Sequence, residues 1–141
     1  MSTYEIRTIL EGDDEITVVE LSGHADRANI QGLLAELQGL ARQRGMLRIL
    51  VDETAMRPGL IGFNDIHDLV NDWRTATALK TSRIAVVAAH PIVRGLNQAF
   101  RALANLERKG SMSAFSKRAD AVAWLVGGDP KAPAEASRSQ D

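Results

Sequence analysis

The sequence has no cysteine, no excess of one charge and no long hydrophobic run. The absence of cysteine excludes disulfides, thiolate metal sites and cysteine catalysis. A formal net charge of -1 gives no overall attraction to nucleic acid or to an anionic membrane. The longest apolar run, Ile84–Ala89, is far shorter than the ~20 residues that span a bilayer. Because the N-terminus also lacks a signal segment, we expect a cytoplasmic protein that is not transmembrane.

The sequence also lacks the motifs of common nucleotide and catalytic sites. Its glycines form neither G-x-G-x-x-G after a strand nor G-x-x-x-x-G-K-[ST], which argues against a dinucleotide or P-loop site. Ser22-Gly23-His24 lacks the G-x-S-x-G pattern of a nucleophile elbow. Arg94, Arg101 and Arg108 recur at helical spacing, which is typical of a solvated helix surface. We therefore predict no cofactor and no nucleic-acid partner.

The chain does contain short runs rich in Val and Ile that alternate with amphipathic helical segments. This alternation predicts an α/β domain with a mixed, mostly parallel sheet of about five strands and four helices. The turn Gly12-Asp13-Asp14 predicts a hairpin, so the first strand should be antiparallel to the second. The five expected strands are Tyr4–Leu10, Ile16–Leu21, Arg48–Asp52, Arg83–Ala89 and Met112–Phe115.

The four expected helices follow the second, third, fourth and fifth strands. Asp26 or Asn29 is the expected N-cap of the first helix and Gly45 its C-cap. The second begins between Pro58 and Asn64, the third runs from Pro91 to about Gly110, and Ser116 caps the fourth. Trp124, on the fourth helix, is expected in the core. We expect one domain over residues 1–126 and a disordered tail over 127–141, which has no apolar periodicity.

Three stretches carry a family resemblance: Val19–Asp26, Arg48–Asp52, and Phe115 followed by Ala119–Leu125. With this order of elements, the chain resembles the STAS-like fold and, more closely, the SpoIIAA-like family of small bacterial proteins related to anti-sigma-factor antagonists. The resemblance covers about residues 4–126. It implies a non-enzymatic binding or regulatory module whose partner is a small apolar ligand, a lipid surface or a protein, with a homodimer as a further possibility.

One segment departs from the pattern of the anti-sigma-factor antagonists, which carry a phosphorylatable Ser at the start of the second helix. The matching stretch here, Met56–Gly62, contains no hydroxyl side chain. Thr54 lies close to it but upstream of Pro58, and it does not match the motif. We therefore predict no phosphorylation site at the family's position, whereas a role in binding an unmodified partner remains.

The connection after the third strand is unusually apolar for a loop. It contains Met56, Leu60, Ile61 and Phe63, which we call the apolar lip. Two interpretations are open: these residues cover the core, or they form a movable edge for an apolar ligand, a lipid surface or a partner. Trp73 lies on the helix that follows and is the tryptophan most suited to a ligand contact.

A second candidate site lies where neighbouring strands are expected to end. Asp52 and Glu53 lie where the third strand is expected to end, and His24 and His90 follow the second and fourth strands. Parallel α/β sheets bind ligands at this edge. Two imidazoles and two carboxylates suit general acid–base chemistry or a divalent metal. The spacing matches no metal motif, however, so we predict no metal and favour a structural role. In that role Asp52 accepts from loop amides, Glu53 is solvated, and the histidines lie in turns.

Overall fold

A computed structural model describes residues 2–24, 26–57, 63–75, 79, 82–90, 94–95, 98 and 112–127. Five strands and three helices are described, and we number each kind in chain order. The strands are β1 (Ser2–Glu11), β2 (Asp14–His24), β3 (Arg48–Arg57), β4 (Arg83–Val87) and β5 (Met112–Phe115). The helices are α1 (Arg27–Arg44), α2 (Phe63–Thr75) and α3 (Arg118–Gly127).

The strands form one mixed sheet in the order β1-β2-β3-β4-β5. β1 pairs antiparallel with β2 through a tight hairpin in which Glu11 lies opposite Asp14, and Gly12 supplies a positive φ of 63° at the turn. The pairs β2–β3, β3–β4 and β4–β5 are all parallel. The predicted α/β class, the five strands and the antiparallel first strand are therefore confirmed.

The sheet separates two hydrophobic clusters, because successive strand side chains point to opposite faces. We call these faces the α1 face and the α3 face after the helix that packs on each. On the α1 face, Val19, Ile49 and Ile84 pack with Leu33 and Leu37. The α3 face is formed by Ile16, Val18, Leu50, Ala85 and Val87 packed with Ala121, Trp124 and Leu125. The parallel strands are apolar on both faces because both are covered.

The ends of α1 follow from its capping residues. Asp26 has extended backbone geometry and its carboxylate accepts from the N–H of Ala28 at 2.9 Å, which makes it the N-cap. Gly45 adopts a φ of 84° and its N–H donates to the Ala41 carbonyl at 2.7 Å. Of the two predicted N-caps the structure therefore selects Asp26, and the predicted C-cap Gly45 is confirmed.

The strands β2 and β3 are longer than the sequence predicts. Their pairing continues beyond Asp52, with Ser22 opposite Ala55 and His24 opposite Arg57. Asp52 and Glu53 consequently lie inside β3 and not at its end, and His24 is the last residue of β2. The prediction ended each strand at a change from apolar to polar residues, whereas the backbone ladder continues through polar side chains.

The described residues contain three helices rather than the four predicted. The expected helix from Pro91 to Gly110 lies almost entirely outside them, although Arg94, Gly95 and Gln98 are helical and the Arg94 N–H donates to the His90 carbonyl at 2.9 Å. The predicted tail lies outside them beyond Gly127, so the domain boundary stays a prediction. No helix of the described part of the chain is long and apolar enough to cross a membrane.

Two arginines fix α3 on its face of the sheet. The Arg83 guanidinium donates to the Trp124 carbonyl at 2.8 Å and lies 4.3 Å from the centre of the Trp124 ring. Arg48 donates to the Leu125 carbonyl at 3.2 Å. These contacts satisfy carbonyls near the helix C-terminus, which lack partners within the helix. Trp124 itself is 5% exposed, so its predicted place in the core is confirmed.

Candidate binding site at the carboxyl ends of the strands

A β-bulge shapes β3 where the sheet approaches its carboxyl edge. Glu20 lies opposite Asp52, whereas Ser22 lies opposite Ala55, so β3 contains one extra residue between these pairs. Within the bulge, Asp52 Oδ1 accepts from the Thr54 N–H at 3.0 Å and from the Thr54 hydroxyl at 2.7 Å. These two bonds hold the Asp52 carboxylate in a fixed orientation.

Asp52 also belongs to an ionic cluster on the α3 face, which we call the Asp52 cluster. Arg118 Nη1 lies 3.0 Å from Asp52 Oδ2 and 3.5 Å from Glu20 Oε2. Arg7 Nη2 lies 2.9 Å from the same Glu20 oxygen. Arg118 is the first residue of α3, so the cluster ties the start of that helix to β2 and β3.

The surroundings of Asp52 keep it ionised. Burial alone raises the pKa of this carboxyl, because it penalises the charged form, and the side chain is 13% exposed. The two hydrogen bonds from Thr54 and the charge of Arg118 outweigh burial and hold the pKa below its usual value. A carboxylate whose pKa is lowered and which already accepts three hydrogen bonds is a weak general base.

The other members of the second candidate site lie in different surroundings. Glu53 is buried, at 9% exposure, which contradicts the expectation that it is solvated. His24 is exposed and His90 is half-buried. Among the residues that the structure describes, no group of three or more His, Asp or Glu side chains is placed to hold a metal ion. The favoured structural role of this set, and its alternative of metal or acid–base chemistry, stay predictions.

A cleft of about 180 Å³ opens at the carboxyl ends of β4 and β5, and we call it the β4–β5 cleft. Val86 and Ala114 lie side by side in the sheet, and the Ala88 N–H donates to the Phe115 carbonyl at 3.3 Å, so the two strands stay joined below the cleft. Its described lining combines four apolar side chains with three polar ones, namely Val86, Ala88, Ala114, Phe115, Arg94, Gln98 and Ser116.

The apolar lip is only partly within the described residues. Met56 lies in β3 and not in the connection after it, and it is 3% exposed and packed in the cluster on the α1 face, so of the two interpretations it agrees with the one in which it covers the core. Continued β2–β3 pairing is the reason, since Gly23 lies opposite Met56. Leu60 and Ile61 lie outside the described residues. Phe63 and Trp73 lie in α2, but their side chains also fall outside.

The polar residues of the cleft and the role of Arg118 do not follow from the apolar periodicity of the sequence. The helical spacing of Arg94 predicts a solvated position, and Arg94 is exposed, but it also lines the β4–β5 cleft. Ser116 directly follows β5, and Arg118 lies three residues after its end. Applying the rule that ligands gather beyond the carboxyl ends of strands to β5 as well would have identified both.

These features define an α/β fold with a mixed five-stranded sheet and helices on both faces. A sequence model of the SpoIIAA-like family matches residues 16–126, and the chain belongs to that family. The predicted resemblance is therefore confirmed. The SpoIIAA-like fold suggests a regulatory or binding module.

Comparison with solved structures supports the fold assignment. An uncharacterised protein of the DUF3478 family from Shewanella loihica, described as having a SpoIIAA-like fold, superposes with a TM-score of 0.59 at 18% sequence identity. The match covers 89% of this chain and 95% of the other. At this level of identity the likeness concerns the fold alone. No curated protein matches the chain.

Proposed function

We propose that the protein is a non-enzymatic binding module whose β4–β5 cleft binds a small, mainly apolar ligand that carries an anionic group. The observation that supports this proposal is the lining of the cleft, in which a floor of apolar side chains lies beside Arg94, Gln98 and Ser116. Ligand sites have this composition, with few polar groups that orient a mainly apolar molecule.

The volume of the cleft and the charge of Arg94 indicate which kind of ligand it binds. Its volume of about 180 Å³ lies below the ~300–1,000 Å³ of sites for drug-sized molecules, so it suits a small molecule or one end of a longer one. Val86, Ala88 and Phe115 offer apolar contact. Arg94 is a permanent cation that favours a carboxylate or phosphate. An aliphatic acid has both properties.

The apolar lip is a second part of this proposal. The chain leaves β3 at the same edge of the sheet, one strand away from β4. We propose that Leu60, Ile61 and Phe63 add apolar contacts to the same ligand, and that Trp73, on the helix that begins at Phe63, reports its binding. Binding of a lipid surface or a protein partner is the competing role for these residues.

The experiment compares octanoate with octanol, two probes with the same chain length and different charge, by titration calorimetry on the full chain. We expect octanoate to bind more tightly than octanol and Arg94→Gln to remove the difference. Ala114→Leu should weaken both probes because it fills the floor. Arg42→Gln, an exposed arginine near the end of α1, is the matched control and should change neither.

Three results would contradict the proposal. One is the absence of saturable binding of either probe to the wild type. Another is equal binding of the two probes, which removes the role of Arg94. A third is binding to anionic lipid vesicles without binding of free octanoate, which would favour a membrane surface as the partner.

A further inference from the structure

The outer edge of β1 is the longest open sheet edge of the described structure. β1 spans Ser2–Glu11 and is the first strand in the sheet order, so within the described residues only β2 pairs with it. A long edge strand is a template for pairing with another chain unless something blocks it. β1 contains no proline and no bulge in its register with β2.

The hairpin register determines which backbone groups of β1 point outward. Glu11 and Asp14 flank a two-residue loop, so they are a hydrogen-bonded pair, and such pairs recur at every second residue. The odd-numbered residues of β1, such as Arg7 and Ile9, therefore bond to β2. The N–H and C=O groups of the even-numbered residues, Tyr4 to Leu10, point to the open edge.

We propose that two copies of the protein form a homodimer by antiparallel pairing of β1 with β1 about a two-fold axis at Ile6. With this register, Ile6 lies opposite Ile6 of the second copy and the ladder uses the strand from Ser2 to Leu10. All of its hydrogen bonds come from the outward groups of the even-numbered residues. The two sheets join into one continuous sheet.

Charge complementarity selects this register. With the axis at Ile6, Glu5 lies directly opposite Arg7 of the second copy, and the symmetry repeats that pair. An axis at Thr8 would place Glu5 opposite Glu11, and an axis at Tyr4 would shorten the ladder. Opposite charges in directly facing positions stabilise a strand pair, whereas like charges destabilise it.

The isolated chain leaves a charge imbalance that this pairing relieves. Glu5 lies directly opposite Glu20 in the β1–β2 ladder, and only Glu20 is neutralised, by Arg7 at 2.9 Å and by Arg118 at 3.5 Å. Among the described residues Glu5 makes no ion pair. In the dimer the second copy supplies an arginine on the other side of Glu5.

Apolar contacts on the α1 face add to the ladder. Ile6 is partly buried against the cluster on that face, and its copy would cover the remaining surface. Leu10 is 70% exposed, the most exposed large hydrophobic side chain among the described residues. In the proposed register Leu10 lies diagonal to Tyr4 of the second copy, and the aromatic ring of Tyr4 is long enough to reach a diagonal neighbour.

A charge-swap experiment tests the interface by sedimentation equilibrium of the full chain. Glu5→Lys and Arg7→Glu should each weaken self-association about tenfold, since each turns two attractive pairs into repulsive ones. An equimolar mixture of the two variants should associate as tightly as the wild type, because each lysine then faces a glutamate. Asp13→Lys, a charge change in the hairpin turn, is the control and should leave association unchanged.

A backbone test separates β1 pairing from other modes of dimerisation. Thr8→Pro removes an outward N–H without breaking the β1–β2 ladder, so it should abolish the dimer while the monomer stays folded. Amide hydrogen exchange of the wild type should slow with concentration at Tyr4, Ile6 and Thr8 but not at Arg7. A wild type that stays monomeric at millimolar concentration would overturn the proposal. Dimerisation that survives Thr8→Pro would also overturn it, as would an equimolar mixture of Glu5→Lys and Arg7→Glu that fails to associate.

The β4–β5 cleft lies at the opposite side of the sheet from β1, so these results are independent of ligand binding.

Discussion

The Asp52 carboxylate combines three favourable contacts in one partly buried position. Thr54 donates two hydrogen bonds to it and Arg118 supplies the positive charge. Each contact stabilises the ionised form, and together they outweigh the effect of burial on the pKa. The cost of burying this charge is therefore offset locally, and the same contacts connect the bulge in β3 to the first turn of α3.

This cluster predicts an acid-sensitive part of the folding free energy. The pKa of Asp52 in the folded protein lies below the value of about 3.9 in the unfolded chain. The stability that Asp52 contributes is therefore fully present when the pH is above its pKa in the unfolded chain. It is lost as the pH falls through its pKa in the folded protein. Asp52→Asn should cost about 1–3 kcal/mol near neutral pH and flatten this acid limb. Urea unfolding across a pH series measures both effects.

Arg118→Gln provides the matched test of the same contact. It should remove part of the acid-sensitive stability, because Asp52 loses its ion-pair partner while the Thr54 bonds remain. The control is Arg42→Gln, since Arg42 is exposed on α1 and should have no effect on the pH profile. An unchanged acid limb in Asp52→Asn would contradict the role assigned to this carboxylate.

Tyr4 gives a second prediction at this scale, and it is the only tyrosine in the chain. Its hydroxyl donates to Glu36 Oε1 at 2.7 Å, and that bond, assisted by burial and by the carboxylate charge, raises the pKa of the phenol. The stability from this contact is thus fully present when the pH is below the pKa of Tyr4 in the unfolded chain, which is about 10. It is lost as the pH rises through the pKa of Tyr4 in the folded protein.

The absorbance of tyrosinate during alkaline titration reports this group alone. Glu36→Gln should lower the Tyr4 pKa toward that of a free tyrosine, because the phenol would no longer donate to a charged acceptor. Glu15→Gln, which changes a carboxylate on β2, should leave it unchanged. A titration curve that does not move in Glu36→Gln would show that the Tyr4–Glu36 bond is absent in solution.

Elements are predictable where the hydrophobic pattern and the end signals agree. The span of α1 follows from its apolar stripe, Asp26 and Gly45, and the short strand Met112–Phe115 was predicted with the observed bounds. The ends of β2 and β3 are not predictable, because many of their last residues are polar or small and pair through the backbone, and the bulge interrupts the regular alternation in β3. Met56 was misplaced for this reason.

The N-cap of α1 is the element-scale test. Asp26→Ala removes the acceptor for the N–H groups of Ala28 and Asn29 and should cost about 0.5–2 kcal/mol. Gln43→Ala, an exposed substitution inside the same helix, should stay within about 0.5 kcal/mol of the wild type. Urea unfolding of both variants makes the comparison. Equal stability of the two would mean that Asp26 does not cap the helix.

The described part of the molecule is a sheet with a covered apolar layer on each face, and different polar contacts hold the helices on the two faces. On the α1 face, α1 and α2 are joined by a polar seam in which Arg27 pairs with Asp65 and Asp68, and Gln31 donates to Asp72. On the α3 face, a short helix is held by arginines from the strands. The fold was predictable because it depends on apolar periodicity, whereas the site depends on single polar residues that periodicity does not select.

The boundary of the domain is testable at this scale. Deleting residues 128–141 should leave the melting temperature nearly unchanged, because that segment has no apolar periodicity with which to dock. Leu37→Ala, which truncates a side chain of 3% exposure, should cost ~2–5 kcal/mol and serves as the comparison for a core loss. A comparable loss on deletion would move the domain boundary beyond residue 126.

The central claim, that the β4–β5 cleft binds an anionic apolar ligand, is tested most directly by NMR titration of the isotope-labelled full chain with octanoate. We predict saturable shifts of the backbone amides that line the cleft, above all those of Ala88, Ala114 and Ser116, and unchanged amides around Leu33 in α1. Shifts that are absent, that do not saturate, or that centre on another part of the molecule would contradict the account.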